Sequence, residues 1–485
     1  MNILLSNPPS KIDDMFGIGS KLIQKYEPLG LLYIAASVRQ NGYPVEVVDC
    51  FAENMSLDKL KQIIMRKKPD IVGITTLTCN GSVVFELGKW IKKTFPGTLT
   101  VLGNIHASEF ARQYLENGCC DIVVNGEGED AFVRIIELYC GKRGKSDIKA
   151  ISYIDRDGKA VISNEYNIIE NLSERPLPAR DLVKHELYKF SSISNQLYMG
   201  EKCGVVKTMV TSRGCPNECS FCAVNHNHKP RFSDPVKVVD EIEILIKELN
   251  ASYIYFEDSL FIANKERILK ICTEINRRGL KILWGIQGHV NYITKDIIKP
   301  LEDAGCYDMA LGIESGVQRL LDKINKQTRL EKIAEVVDMV KKNSKILLEG
   351  LFILGLPTET YDESLKTIEF ARSLNIDMAQ FSIFTPYPGS PLFSGLKQAG
   401  EIDTGIKNDG SVDPSVWERY SAYISFTDID PIWVTPGLTK DQLRKLQKKA
   451  QRSFYLRPSI IKRNIKRLNI KNIAAASKIL INGFF

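Results

Sequence analysis

With 485 residues, 44% hydrophobic and 25% charged, the chain has the composition of an ordinary globular protein, long enough for roughly two to four domains. No apolar run approaches the roughly 18 residues that a membrane helix needs, since "ILLEGLFILGLP" is interrupted by Glu349 and Pro357. The net charge of +7 is uneven: residues 440–471 carry twelve Lys and Arg against Asp441 alone, a local net of +11 that leaves the remainder near −4. The basicity therefore belongs to one segment, which argues against a whole-protein partnership with nucleic acid. Eleven cysteines are too dilute, and odd in number, for a disulfide scaffold, so a reducing cytoplasm is the expected compartment. The opening "MNILLSNPPS" reads as a first strand and not as a signal peptide.

Residues 1–140 alternate β-branched runs with amphipathic stretches. "NILLSNPP" is followed by a helix from about Leu29 to Gly42, then "VEVVD", a second helix, "IVGITTLT", a helix near "ELGKWIKKTF", "LTVLGN", another helix and "DIVVNGEGE". Strands separated by helices predict an α/β, doubly wound parallel sheet of Rossmann-like type, whose ligands sit beyond the carboxyl ends of the strands. Those ends carry Ser6 to Pro9, Thr75 to Thr78, Gly103 to His106 and Gly126 to Glu129. Residues 141–200 read as a connector, with a hairpin turning at Asp157-Gly158 and the proline-punctuated "ERPLPARDLV". Residues 201–400 hold a second βα series with strands "VKTMVTS", "YIYFED", "ILWGIQ", "MALGIE", "LLEGLFILG" and "AQFSIF". Six such units predict a partial (β/α)6 barrel of the TIM type, open where the full barrel closes. Residues 401–485 read as a mostly helical C-terminal region with a basic tail.

Just after the first strand of this series stands "SRGCPNECSFCAVNH", with Cys215, Cys219 and Cys222. The residues alone leave two readings open. A structural zinc site would take its fourth ligand from Cys203, His226 or His228. A [4Fe–4S] cluster would be held by three thiolates, with one iron left for an exogenous ligand.

The C-x3-C-x2-C spacing, with Phe221 before the last cysteine, resembles the signature of the radical S-adenosylmethionine (SAM) superfamily. The resemblance implies that the amino and carboxylate groups of SAM chelate the open iron. It implies further that an electron from a reductant such as flavodoxin or ferredoxin cleaves SAM to a 5′-deoxyadenosyl radical. By the same resemblance, Glu257 or Asp258 in "IYFEDSLF" holds the SAM amino group, and Glu314 and Ser315 in "LGIESG" lie near its ribose or methionyl part. "GLFILGLPTET", from Phe352 to Gly355, is similar to the family's segment beside the adenine. The order Gln287-Gly288-His289-Val290-Asn291 departs from the Arg-x-Asp that related proteins carry after strand three.

The first domain resembles the cobalamin-binding domain of one radical SAM class in "EPLGLLYIAASVRQNGYPVEVVD", "PDIVGITTLT", "VLGNIHAS" and "DIVVNGEGE". The corrin contacts this implies are Thr75, Thr76, Leu77, Gly103, Asn104, His106, Gly126, Glu127 and Gly128. Nothing after Pro8-Pro9 matches the Asp-x-His-x-x-Gly of mutases and methionine synthase. Cobalt is therefore expected to lack a protein imidazole, and His106 to pack or to touch a corrin amide. A nicotinamide site is excluded, because no G-x-G-x-x-G follows the first strand.

These resemblances imply C-methylation of an unactivated carbon in a small-molecule, lipid or natural-product substrate. The alternatives are oxidative cyclisation or rearrangement with the same cofactors, and a non-catalytic zinc-binding protein. For residues 458–485, Ile461, Ile465 and Leu468 share a face among Lys462, Arg463, Lys466 and Arg467. That stripe leaves two readings, a solvated helix packed on the barrel or a peripheral contact with an anionic membrane.

Overall fold

The computed structural model describes residues 1–16, 24–188, 204–224 and 229–465. The alternative zinc donors Cys203, His226 and His228 lie outside the described residues, as do Lys466, Arg467 and Leu468 of the tail.

In the first domain, β1 (Ile3–Asn7), β2 (Glu46–Asp49), β3 (Ile71–Thr75), β4 (Leu99–Gly103) and β5 (Ile122–Val124) pair in parallel in the order β2-β1-β3-β4-β5. Their interiors are apolar because helices cover both faces. Ile3 and Leu5 point to the side of the helices Leu29–Gln40 and Glu129–Tyr139. Leu4 joins the opposite cluster, with Leu60 and Ile64 of the helix Leu57–Lys67 and Val84 and Leu87 of the helix Gly81–Thr94. The strand order reverses between β1 and β3, which opens a crevice at their carboxyl ends. The hairpin expected in the connector, β6 (Ile151–Ile154) and β7 (Ala160–Val161), instead extends this sheet antiparallel from β5 and makes it seven-stranded.

The second domain begins with β8 (Val205–Met209) and a short antiparallel pair, β9 (Ser212–Arg213) and β10 (Arg231–Phe232). Five further strands follow: β11 (Ala251–Phe256), β12 (Leu283–Gly288), β13 (Cys306–Glu314), β14 (Leu347–Leu354) and β15 (Met378–Ile383). With β8 they form a curled parallel sheet of six strands in chain order, the half-barrel the sequence predicts. Ile254, Phe256, Trp284, Ile286, Met309 and Leu311 face outward into the core beneath the crossover helices. Residues 401–439 run through short 3-10 turns at Pro414–Arg419 and Ile424–Phe426, before the helices Lys440–Tyr455 and Pro458–Ile465. Thr439 and Gln442 form a capping box that starts the first of these helices. None of the described helices is long and apolar enough to cross a membrane.

The first domain packs against the C-terminal region and the barrel through buried contacts. Trp417 is buried against Phe85, Phe110 and Tyr114 of the first domain. Arg213 pairs with Glu129 at 2.5 Å and Arg231 with Glu127 at 2.6 Å. Glu27 binds both Arg180 and, at 2.5 Å, the buried Lys207 of β8, while Arg180 also reaches Glu241 at 2.9 Å.

Candidate functional site

The carboxyl ends of the half-barrel strands open on a cavity of about 450 Å³. The β9–β10 pair returns the chain to its starting point, so the cysteine segment is a closed excursion from the barrel rim. It leaves through Gly214 at φ +90°, a conformation that glycine adopts without strain. Neighbouring elements clamp the excursion. Ser220 N–H donates to the Ile324 carbonyl (3.0 Å) and the Asn325 amide to the Glu218 carbonyl (2.9 Å). Cys215, Cys219 and Cys222 line the cavity as free thiols, with Phe221 beside them. Among the described residues no three His, Cys, Asp or Glu side chains converge on one ion-sized point. Three thiols around one cavity can each serve one iron of a cubane.

Facing the thiols, Glu314 enters the cavity from the end of β13. The register against β14 slips between Gly312 and Glu314, and Glu314 takes φ +66°. A bulge of this kind turns a side chain out of its strand's alternation, and a non-glycine residue in the left-handed region is costly enough to mark a site. Its carboxylate accepts from Lys326 Nζ at 2.7 Å, and both groups are buried. The pair packs directly onto Gly312, where an added Cβ would stand 2.5 Å from Glu314 Oε1 and 2.7 Å from Lys326 Nζ, so only glycine fits there. His289 lines the same wall. Its Nε2–H donates to the Lys326 carbonyl (3.2 Å) and Nδ1 accepts from Asn291 N–H (3.3 Å). Burial, reinforced by the Lys326 charge, holds the imidazole down to about 4, so it is neutral near pH 7. Phe352 is in the cavity lining, while its ring stacks on Phe381 in the core at 5.2 Å.

Other residues predicted for SAM lie elsewhere. Asp258 is 1% exposed and accepts from Thr211 N–H, Thr211 Oγ1 and Ser212 Oγ, each at 2.6 Å, which ties β11 to the segment entering the cysteine loop. Ser315 is buried against Thr367 at 3.1 Å, and Gly355 packs under Leu443. Neither lines the cavity, because each sits one step past the strand end, where the chain has already turned away.

A second cavity, of about 460 Å³, lies over the carboxyl ends of the first sheet. Thr75, Gly103, Asn104, Gly126, Glu127 and Gly128 line it, with Ile34, Val101 and Phe132 among its apolar walls. A Cβ added at Gly30 or Gly103 would meet nothing within 4 Å, so the floor is bare backbone open to a flat ligand. Glu127 is occupied by Arg231 and Arg213 and by the Ile169 N–H (2.7 Å). Thr76 is buried, Leu77 points to solvent at 42% exposure, and neither faces the cavity. His106 also turns away. Its ring lies 4.6 Å from Trp417 and 4.7 Å from Phe110, and neither nitrogen has a hydrogen-bond partner among the described residues. Desolvation pushes it down to about 3. Glu257 is an exposed carboxylate in the lining of this second cavity, and the protein around it raises its carboxyl above the usual range. Val224 and Ser259 line both cavities, which therefore adjoin.

Residues 17–136 match the family described as the B12 binding domain, and residues 209–371 match the radical SAM superfamily. Over 468 residues the chain is 33% identical to an uncharacterized methyltransferase of Pyrococcus horikoshii, an alignment covering 96% of this chain and 95% of that protein. The chain belongs to the cobalamin-dependent radical SAM enzymes. It is also 30% identical over 395 residues to the anaerobic magnesium-protoporphyrin IX monomethyl ester cyclase of Rubrivivax gelatinosus, covering 79% of this chain and 69% of the cyclase. Two solved structures share the fold. The methyltransferase TsrM from Kitasatospora setae, with cobalamin and a [4Fe–4S] cluster bound, superposes at TM-score 0.66 with 17% identity over 92% of this chain and 90% of that one. OxsB, with aqua-cobalamin and SAM bound, superposes at 0.71 with 17% identity over 96% and 70%.

The cofactors of this radical SAM enzyme are a [4Fe–4S] cluster, SAM and cobalamin, and the residues present fit them. Three soft thiols stand around one cavity, a buried Glu314–Lys326 pair lines the same cavity, and a glycine floor covers the first sheet. Lys326 escaped the sequence reading. Its only signal is the polar turn "NKQ", in which Asn325 and Gln327 flank it at positive φ. Gln380, Ser382 and Tyr423 also line the thiol cavity and carry no motif.

Proposed function

We propose that this protein is a C-methyltransferase acting on an unactivated carbon of a small-molecule or lipid substrate. The adjoining of the glycine-floored and thiol-lined cavities at Val224 and Ser259 supports chemistry that uses both cofactors together. The observation that carries methyl transfer is the match, over 96% of this chain and 95% of that protein, to a relative named a methyltransferase. When bound, the cofactors would supply one-electron activation of a substrate C–H bond and a transferable methyl group.

In this reading Cys215, Cys219 and Cys222 are the cluster ligands. The Glu314 carboxylate and the Lys326 ammonium present an acceptor and a donor to the polar end of SAM, while Phe221 and Phe352 flank it. Thr75, Gly103, Asn104, Gly126 and Gly128 receive the corrin. Leu351, Ile353 and Phe384 of the cavity wall exclude water from the reacting atoms. The cofactor-binding unit spans 1–140, the connector with its hairpin 141–200, the barrel 201–400 and the C-terminal region 401–485. A flavodoxin- or ferredoxin-like protein is the expected electron donor, and the basic C-terminal segment the expected contact with a membrane.

A second reading, cyclisation or rearrangement without methyl transfer, draws on the identity to the Rubrivivax gelatinosus cyclase and uses the same cavities. Mass spectrometry of extracts from cells with and without the protein separates the two. Methylation predicts a product heavier than its precursor by one CH2; a product lacking that increment contradicts it.

A further inference from the structure

The outer face of the helix Lys440–Tyr455 takes no part in either cavity. Leu443, Leu446, Gln447, Ala450 and Phe454 turn inward. The opposite face carries Lys445, Lys448, Lys449 and Arg452 at helical spacing. Together with Arg372, from the end of the helix Tyr361–Ser373, and Arg457, from the following turn, they line an open groove of about 540 Å³. Arg372, Lys445, Lys448, Lys449 and Arg457 have no ion-pair partner among the described residues, although the neighbouring Arg444 and Arg463 pair with Asp430 and Asp377. Burial holds the Arg457 guanidinium below its usual range, and the Arg463 and Arg372 charges add to the effect. Cations gathered this way repel one another until an anion joins them.

The groove lining also includes the aliphatic Leu456, and Ile461 stands exposed on the helix that follows. Leu456 is 52% exposed and Ile461 40% exposed. A nucleic acid would call for stacking aromatics, and the described groove lining holds none. Cations beside protruding aliphatics suit phosphate headgroups with acyl chains behind them.

We propose that this groove, flanked by Leu456 and Ile461, is a docking surface for an anionic phospholipid bilayer. It deepens the membrane contact proposed above and moves its centre from the segment after Pro458 onto the helix Lys440–Tyr455. It is independent of the methyl-transfer reading.

The test is sedimentation of the full-length, cofactor-loaded protein with vesicles of phosphatidylcholine alone and of phosphatidylcholine with phosphatidylglycerol. Wild type is expected to sediment only with the phosphatidylglycerol vesicles. Each cation contributes roughly fivefold to such partitioning, so Lys445→Ala/Lys448→Ala/Lys449→Ala should lower it by about a hundredfold. Leu456→Ser should lower it several-fold. Iron and corrin contents equal to wild type show that the variants are folded. Wild-type partitioning by the triple variant overturns the proposal, as does indifference of wild type to phosphatidylglycerol. Displacement from vesicles by millimolar inorganic phosphate also overturns it, because it reveals a small-anion site. Intact vesicle binding without methylated product would count against the methyl-transfer reading alone.

Discussion

Glu314 and Lys326 are opposite charges removed from water together, and each is the other's compensation. Breaking such a pair leaves an uncompensated buried charge, which costs about 3–5 kcal/mol. Lys326→Met should therefore lower stability. It should also weaken SAM binding by about ten- to a hundredfold, the range of a charged hydrogen bond to a buried ligand. Equilibrium SAM binding at equal iron content checks this, and unchanged affinity would remove Lys326 from the site. Asp258→Asn should behave differently. Its three acceptor contacts are all within the protein, so thermal stability should fall while SAM affinity at full cluster loading stays near wild type. His106 poses another test at this scale. With its imidazole enclosed by Trp417 and Phe110, the cob(II)alamin electron paramagnetic resonance spectrum should show no protein-nitrogen splitting. A nitrogen triplet that disappears in His106→Ala would make it the cobalt ligand. The thiols were legible in the sequence because their spacing is local. Lys326 was not, because its partner lies a helix away and buried lysines carry no periodic signature.

At the scale of elements, the cysteine excursion is held by contacts from Tyr292, from the turn at Ile324 and Asn325, and from Leu392, all outside itself. Its ligands are expected to act individually. Cys215→Ala, Cys219→Ala or Cys222→Ala should each lose iron and the broad absorption near ~400 nm. Cys272→Ala and Cys306→Ala, which lie in the core behind the sheet, should keep both. Iron retained in Cys219→Ala would contradict the ligand set. Apolar runs between helices made the parallel strands of both sheets readable, since strands buried on two faces need continuous hydrophobicity. The hairpin β6–β7 was recognised as a hairpin but not as part of the first sheet, because strand pairing across β5 leaves no mark on local pattern. The bulge that aims Glu314 was equally invisible. A register slip appears only against the neighbouring strand.

Across the whole molecule, the adjoining of the two cavities depends on how the first domain is locked to the barrel. Glu27 is central to that lock. Although burial opposes its ionisation, the His185 hydrogen bond and the charges of Arg180 and Lys207 bring its carboxyl from 4.5 down to about 2. A carboxyl lowered on folding contributes stability that is present above its unfolded pKa and lost as pH falls toward the folded one. The window is thus from about pH 4.5 to about pH 2, and the amount about 3 kcal/mol. Glu27→Gln should remove that acid-side slope and lower the unfolding temperature at pH 7, because Lys207 and Arg180 lose their shared carboxylate. An unchanged pH profile of unfolding would mean that Glu27 is not the lock. None of this network was visible in the sequence, whose charges are set far apart along the chain.

The central claim is that cobalamin on the first sheet and SAM at the thiol cavity work side by side. Anaerobic protein loaded with both cofactors, reduced and given SAM deuterated in its methyl group, tests that claim without knowledge of the substrate. Mass spectrometry of the extracted corrin is predicted to show a trideuteriomethyl group on cobalt. Corrin that stays unlabelled while the cluster and SAM binding are intact would contradict the account.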